Sequence, residues 1–158
     1  MPNAEPHLDV AVQLQIAGTL LGERVLAGLI ERGFTDLRIS DGFWFQHLVP
    51  GPRLVTELAQ RMGITQQGAS KAVADLEARG YVVREASAED KRARVVSLTE
   101  RGRAAIAAGR EVRRAEQARL RRRLGPPRWA AFASSLEEVL DVLGAPAAIA
   151  DRNVPLPR

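Results

Sequence analysis

A chain of 158 residues with 46% hydrophobic and 27% charged residues has the composition of a folded globular protein, too short for two independent large cores and unlike a disordered chain. The absence of cysteine excludes disulfides, thiolate zinc sites and thiol redox switches. The net charge of +4 and sequence pI near 10.5 point to an anionic partner, although the strong preference for Arg over Lys weakens the inference.

No apolar run approaches the roughly 20 residues needed to cross a bilayer. The first eight residues, Met1 to Leu8, lack a basic segment followed by an apolar stretch, so the expected location is cytoplasmic.

In chain order, Val12, Ile16 and Leu20, with Leu21, Val25 and Leu29, recur at helical spacing and predict an amphipathic helix from about Asp9 to Glu31, ending at Gly33. A short second helix is expected from Leu37 to Leu48, stopped by Pro50-Gly51-Pro52. Next come helices from about Val55 to Met62 and from Gln66 to Arg79, separated by Gly63-Ile64 and closed by Gly80. The period then changes. Tyr81 to Glu85 and Arg94 to Leu98 are β-branched-rich runs around a polar tip, which is the pattern of a hairpin. Thr99 caps a long helix to Leu124, Gly125-Pro126-Pro127 breaks it, and a last helix runs from about Arg128 to Leu143.

The expected fold is therefore mainly α with a small β-wing: a winged helix-turn-helix plus a terminal-helix dimerisation module. Residues 1–36 would form an N-terminal dimerisation helix, 37–102 the winged head, 103–145 the C-terminal dimerisation helices and 146–158 a loosely ordered tail. The reason to expect a homodimer is that one recognition helix has a small footprint, whereas symmetric pairs read two half-sites. Leu136, Val139, Leu140 and Leu143 share one face of the last helix and would supply apolar contact.

On the helix Gln66–Arg79, Ala69, Ala72, Val73 and Leu76 fall on one side, to pack against Leu58, Ala59 and Met62. Gln67, Lys71 and Ala74 then centre the opposite side, flanked by Gln66 and Ser70. Gln pairs with adenine, Lys with guanine or phosphate, and Ser with either. N–H groups after a Thr65 cap attract phosphate. Gly68 either packs against the preceding helix or allows close approach of a backbone.

Leu58-Ala59, Ser70-Lys71-Ala72-Val73, Leu76-Glu77, Gly80-Tyr81-Val82, Asp90-Lys91-Arg92 and Leu98-Thr99-Glu100-Arg101-Gly102 together resemble the MarR family of transcriptional regulators, over about Leu54 to Gly102. The resemblance implies a double-stranded DNA-binding regulator, a repressor by default, on a pseudo-palindromic operator. Arg92 at the wing tip would enter the minor groove with Asp90 fixing its guanidinium, and a narrow groove attracts Arg electrostatically. Lys91 and Arg94, and Arg84 from the first wing strand, would touch phosphates or solvent.

The resemblance also implies a small aromatic or anionic effector between head and dimerisation helices, where Phe43, Trp44 and Phe45, with His47 near the end of their helix, are candidates, with plain core packing as their alternative. Trp129 is expected to pack the last helix. The Arg-rich run from Arg110 to Arg128 reads as a solvated helix face.

An enzyme is disfavoured: there is no cysteine, only two histidines, His7 and His47, no nucleophile elbow, no phosphate-binding glycine loop and no metal-ligand cluster, and no cofactor is called for. The remaining alternative is a winged-helix protein-interaction module without specific DNA binding.

Overall fold

In a computed structural model that describes residues 8–87, 90 and 92–145, the helices α1 (Val10–Ile30), α2 (Asp41–Leu48), α3 (Val55–Met62), α4 (Gln66–Ala78), α5 (Glu100–Leu124) and α6 (Pro126–Val142) surround one small sheet. Three helices start on side-chain caps that satisfy first-turn N–H groups. Asp9 accepts from Val12 N–H at 3.0 Å, Thr65 from Gly68 N–H at 3.1 Å and Thr99 from Gly102 N–H at 3.0 Å.

The sheet holds β1 (Arg53–Leu54), β2 (Val82–Ala86) and β3 (Arg94–Leu98) in the order β1-β3-β2, all antiparallel. In the wing Arg84 faces Val96 and Ala86 faces Arg94, while Arg53 pairs with Val96 on the other edge of β3. Strand β1 is absent from the sequence reading: at two residues it is too short to display a period. Two helix starts also differ. α2 begins at Asp41 rather than Leu37, because the Asp41 carboxylate turns back to accept from Arg38 N–H at 2.8 Å. α6 begins at Pro126 rather than Arg128, since Pro is favourable at the first helical position, where its missing N–H costs no bond.

The core lies inside the head. Leu58, Ala69, Val73 and Tyr81 are fully buried, with Met62, Leu76, Val82 and Val96 almost so. Trp44, Phe45 and Leu48 close it from α2, and the Phe45 and Tyr81 rings meet at 5.7 Å. The head joins α5 through backbone contact at Gly102, where any Cβ would overlap the Tyr81 carbonyl oxygen. On the other side α1 packs on α5, and at Gly28 an added Cβ would stand 2.7 Å from Val112.

The terminal helices are differently covered. α6 has no buried residue; Val142 and Leu143 are 87% and 73% exposed, and Phe132 and Val139 are also open. Trp129 packs beside Phe132 on the same helix, ring centres 6.0 Å apart. Leu14, Ile16, Leu20 and Leu21 leave α1 with an apolar surface of its own.

Candidate nucleic-acid interface

Burial of Ala69, Val73 and Leu76 against α3 fixes which side of α4 faces outward. Gln66, Gln67 and Lys71 are exposed there, Ser70 and Ala74 are half-buried, and Lys71 has no ion pair among the described residues. Thr65 serves as the helix cap and presents the start of α4, with its aligned N–H groups, to solvent. Ala72 is half-buried against the head core. Gly68 is exposed and its nearest neighbours would be Thr65 and Ile64 in the preceding turn, so α3 places no demand on it.

The carboxylates in the C-terminal half of α4 are neutralised locally. Asp75 accepts from Arg79 at 2.7 Å and from Arg38 at 3.0 Å; these guanidiniums, Arg79 foremost, hold it below the usual carboxylate range. Glu77 takes the Arg84 backbone N–H at 2.9 Å and its Nε at 2.8 Å, and the Arg84 hydrogen bonds lower it in the same way. Arg84 is thus turned onto α4, tying the wing to that helix, and its expected phosphate contact competes with that pairing.

At the wing tip Asp90 accepts from the Arg92 backbone N–H at 2.8 Å. Here the carboxylate shapes the turn, and the ion pairs of the described residues include none between it and the Arg92 guanidinium. A side chain two residues ahead reaches the local N–H before it reaches a long exposed guanidinium. Arg92 and Arg94 are exposed. Lys91 lies outside the described residues, as do His7 and the tail 146–158.

Behind the interface a charged seam ties the head together. Arg79 donates to both Asp41 oxygens at 2.7 and 3.0 Å, and Arg101 to both Asp36 oxygens at 3.0 and 3.2 Å. Tyr81 donates its hydroxyl to Asp36 and lies under the Arg101 guanidinium, 4.5 Å from ring centre. Burial, then the Asp36 bond, pushes the Tyr81 phenol up to about 12. None of this seam was anticipated from the sequence.

Between α1, α2 and α5 lies a cavity of about 330 Å³, walled by Leu21, Val25, Leu29, Phe45, Val49 and Ile106, with Arg38, Asp41 and Arg113 at its surface. Phe43, Trp44 and His47 are not among its lining residues. Helical spacing explains the displacement: positions 41, 42, 45, 46 and 49 of the α2 segment face the cavity, whereas Trp44 and His47, 4% and 1% exposed, point into the head. Phe43 packs against the core at its edge. Of the Arg-rich run, Arg110, Arg113, Arg114, Arg119, Arg121, Arg122, Arg123 and Arg128 are all exposed; Arg113 also lines the cavity and Arg119 pairs with Glu116 at 3.3 Å.

A model of the MarR family matches residues 47–93, the stretch from the end of α2 to the wing tip. The solved Mycobacterium tuberculosis MarR family protein Rv2887, in complex with salicylic acid, is 30% identical, covering 85% of this chain and 98% of that one with a TM-score of 0.59.

The chain belongs to the MarR family. It is a DNA-binding transcriptional regulator with the winged-helix fold of that family. The transcriptional repressor CouR, solved bound to a 23-mer DNA duplex, is 26% identical, covering 83% of this chain and 92% of that one at a TM-score of 0.62. YusO of Bacillus subtilis, 21% identical over 84% of this chain and 93% of that one, shares the fold at a TM-score of 0.69. Among the described residues no helix is long and apolar enough to cross a membrane.

Proposed function

We propose that this MarR family protein is a repressor that reads a pseudo-palindromic operator as a homodimer and is released by a small amphipathic anion bound in the cavity between head and terminal helices. One observation carries the DNA half of the reading. α4 presents Gln66, Gln67, Ser70 and Lys71 on an outward face near its N-terminus, while both acidic groups further along are already paired with arginines.

The helix start and Thr65 would sit on phosphate, Gln66, Gln67 and Lys71 on base edges, and Arg92 in the adjacent minor groove, with Lys91 and Arg94 along the backbone. The CouR complex with DNA supports this use of the fold.

The homodimer is supported by the uncovered apolar surfaces of α1 and α6. In this division residues 37–102 are the DNA-reading head, and 1–36 with 103–145 hold two heads together. Their recognition helices would then stand about 34–36 Å apart, one helical turn of DNA. The salicylic acid complex of Rv2887 supports an anionic effector, and an apolar cavity carrying two arginines suits one.

Fluorescence anisotropy across a salt series tests the DNA half, comparing wild type with Lys71→Ala and Arg92→Ala on duplexes selected from a random pool. The expected result is selection of a short pseudo-palindrome, weakened binding by both variants, and a shallower salt slope wherever a phosphate contact is lost. Absence of any selected duplex, with both variants unchanged, would instead favour a protein-interaction module.

A further inference from the structure

Arg38 stands where the cavity meets the recognition helix. It lines the cavity, its backbone N–H is held by Asp41 at 2.8 Å, and its guanidinium crosses to α4, donating to the two Asp75 oxygens at 3.0 and 3.4 Å. Asp41 is also a lining residue, and Arg79 of the α4 C-cap grips it. Two arms therefore join the cavity wall to the C-terminal half of α4.

The arms differ in strength. The Arg79 and Asp41 side chains are 13% and 5% exposed, those of Arg38 and Asp75 62% and 40%. Separating a buried pair strands a charge away from water, whereas an exposed pair is already in competition with solvent. Arg38 is thus the arm an incoming anion can take while Arg79 keeps the head folded. Arg113 adds a second cavity guanidinium, disfavoured in its charged form by burial and then by Arg110, and without a carboxylate partner among the described residues. An anion relieves that repulsion, and the apolar wall between accepts a hydrocarbon or aromatic body.

We infer that Arg38 is the coupling residue of this regulator: a carboxylate on an apolar body, seated in the cavity, draws the Arg38 guanidinium off Asp75 and frees one of the two arms that join α4 to the cavity wall. The inference rests on the cavity being the effector site. It meets the thermodynamic requirement that a ligand act through differential contact with two states, since Asp75 and the ligand carboxylate compete for one guanidinium. The coupling is reciprocal, so DNA must weaken the ligand by the same factor as the ligand weakens DNA.

The test uses the full chain, 2-naphthoate and its uncharged isostere 2-naphthamide, with calorimetry for the ligand and anisotropy on a selected duplex for DNA. Wild type should bind naphthoate more tightly than naphthamide and lose roughly 5-fold or more of its DNA affinity when naphthoate saturates. Arg38→Gln should bind naphthoate more weakly, and its coupling should fall below about 2-fold. Asp75→Asn leaves Arg38 without its competitor. It should bind naphthoate at least as tightly as wild type yet lose the coupling too.

Opposite effects on ligand affinity with a shared loss of coupling are not what a merely structural pair would give. Because coupling is a ratio, any change in DNA affinity from removing the Asp75 charge cancels. If both variants keep the wild-type coupling, Arg38 is not the link, although the cavity reading survives. If wild type binds neither compound, or binds naphthoate without any effect on DNA, the cavity reading itself falls and this inference with it.

Discussion

The winged head and the terminal helices are built from similar apolar content but finished differently. In the head, Leu58, Val73 and Tyr81 are fully buried and the charged groups at its edge are paired to one another. In α6 nothing is buried, and α1 exposes Leu14, Ile16 and Leu20. The core of the head is closed within the protomer, by its own residues and by Leu29 of α1 and Ala105 and Ile106 of α5, whereas α6 and the outer side of α1 leave apolar surface for a second surface to cover. A stability change in the head should therefore be independent of protein concentration, and one in the terminal helices should not.

The largest effect expected is on the head. Leu58→Ala, at a fully buried position, should cost about 2–5 kcal/mol in chemical denaturation, equally at low and high protein concentration. A cost that grows on dilution would show that the head depends on its partner. The complementary break is Val139→Asp with Val142→Asp, which places two carboxylates on the open face of α6. It should raise the dimer dissociation constant by about a hundredfold or more in sedimentation velocity, because an unpaired charge in an apolar interface costs several kcal/mol. The circular dichroism of the protomer should stay unchanged. Persistence of wild-type association would contradict the role given to α6.

A smaller difference should separate arginines that look alike in sequence. Arg92→Ala should lose about 1–3 kcal/mol of DNA affinity with little change in melting temperature. Arg84→Ala should do the reverse, since its guanidinium is held by Glu77. Thermal melts and anisotropy on the same preparations distinguish them.

The smallest effect concerns Tyr81, the chain's one tyrosine, so tyrosinate absorbance reports it alone. With the folded phenol pushed up to about 12 and the unfolded one near 10, its contribution to stability is complete below about pH 10 and is lost as the pH rises through the folded value. Tyr81→Phe should flatten that alkaline decline. The opposite window applies to Asp36, whose hydrogen bond from Tyr81, first among its causes, holds it low: its contribution is present above the ordinary carboxylate value and fades as acid protonates the folded form.

Much of the head was legible because its signals are local. The spacing of Ala69, Val73 and Leu76 gives the buried face of α4, and the order of helix pair, hairpin and Thr99 cap gives the fold. What stayed hidden was long-range or very short. Asp36 meets Tyr81 and Arg101 across 45 and 65 residues of chain, and charged side chains carry no period that reveals such partners. Of the aromatic residues singled out on α2, Phe45 lines the cavity and Phe43 and Trp44 do not, because the 41, 42, 45, 46, 49 spacing marks the lining. The bond from the Arg92 backbone N–H to Asp90 was also hidden, because residue type and spacing do not show which atom of a neighbour a short carboxylate takes.

The most direct measurement is a hydroxyl-radical footprint of the full chain on a selected duplex, with sedimentation of the complex to give its protein content. A dimeric reader predicts one dimer per duplex and two protected half-sites about 10–10.5 base pairs apart, or a multiple of that spacing, both lost in Lys71→Ala with Arg92→Ala. Uniform protection without half-sites, unchanged in the double variant, would contradict the placement of α4 and the wing on DNA.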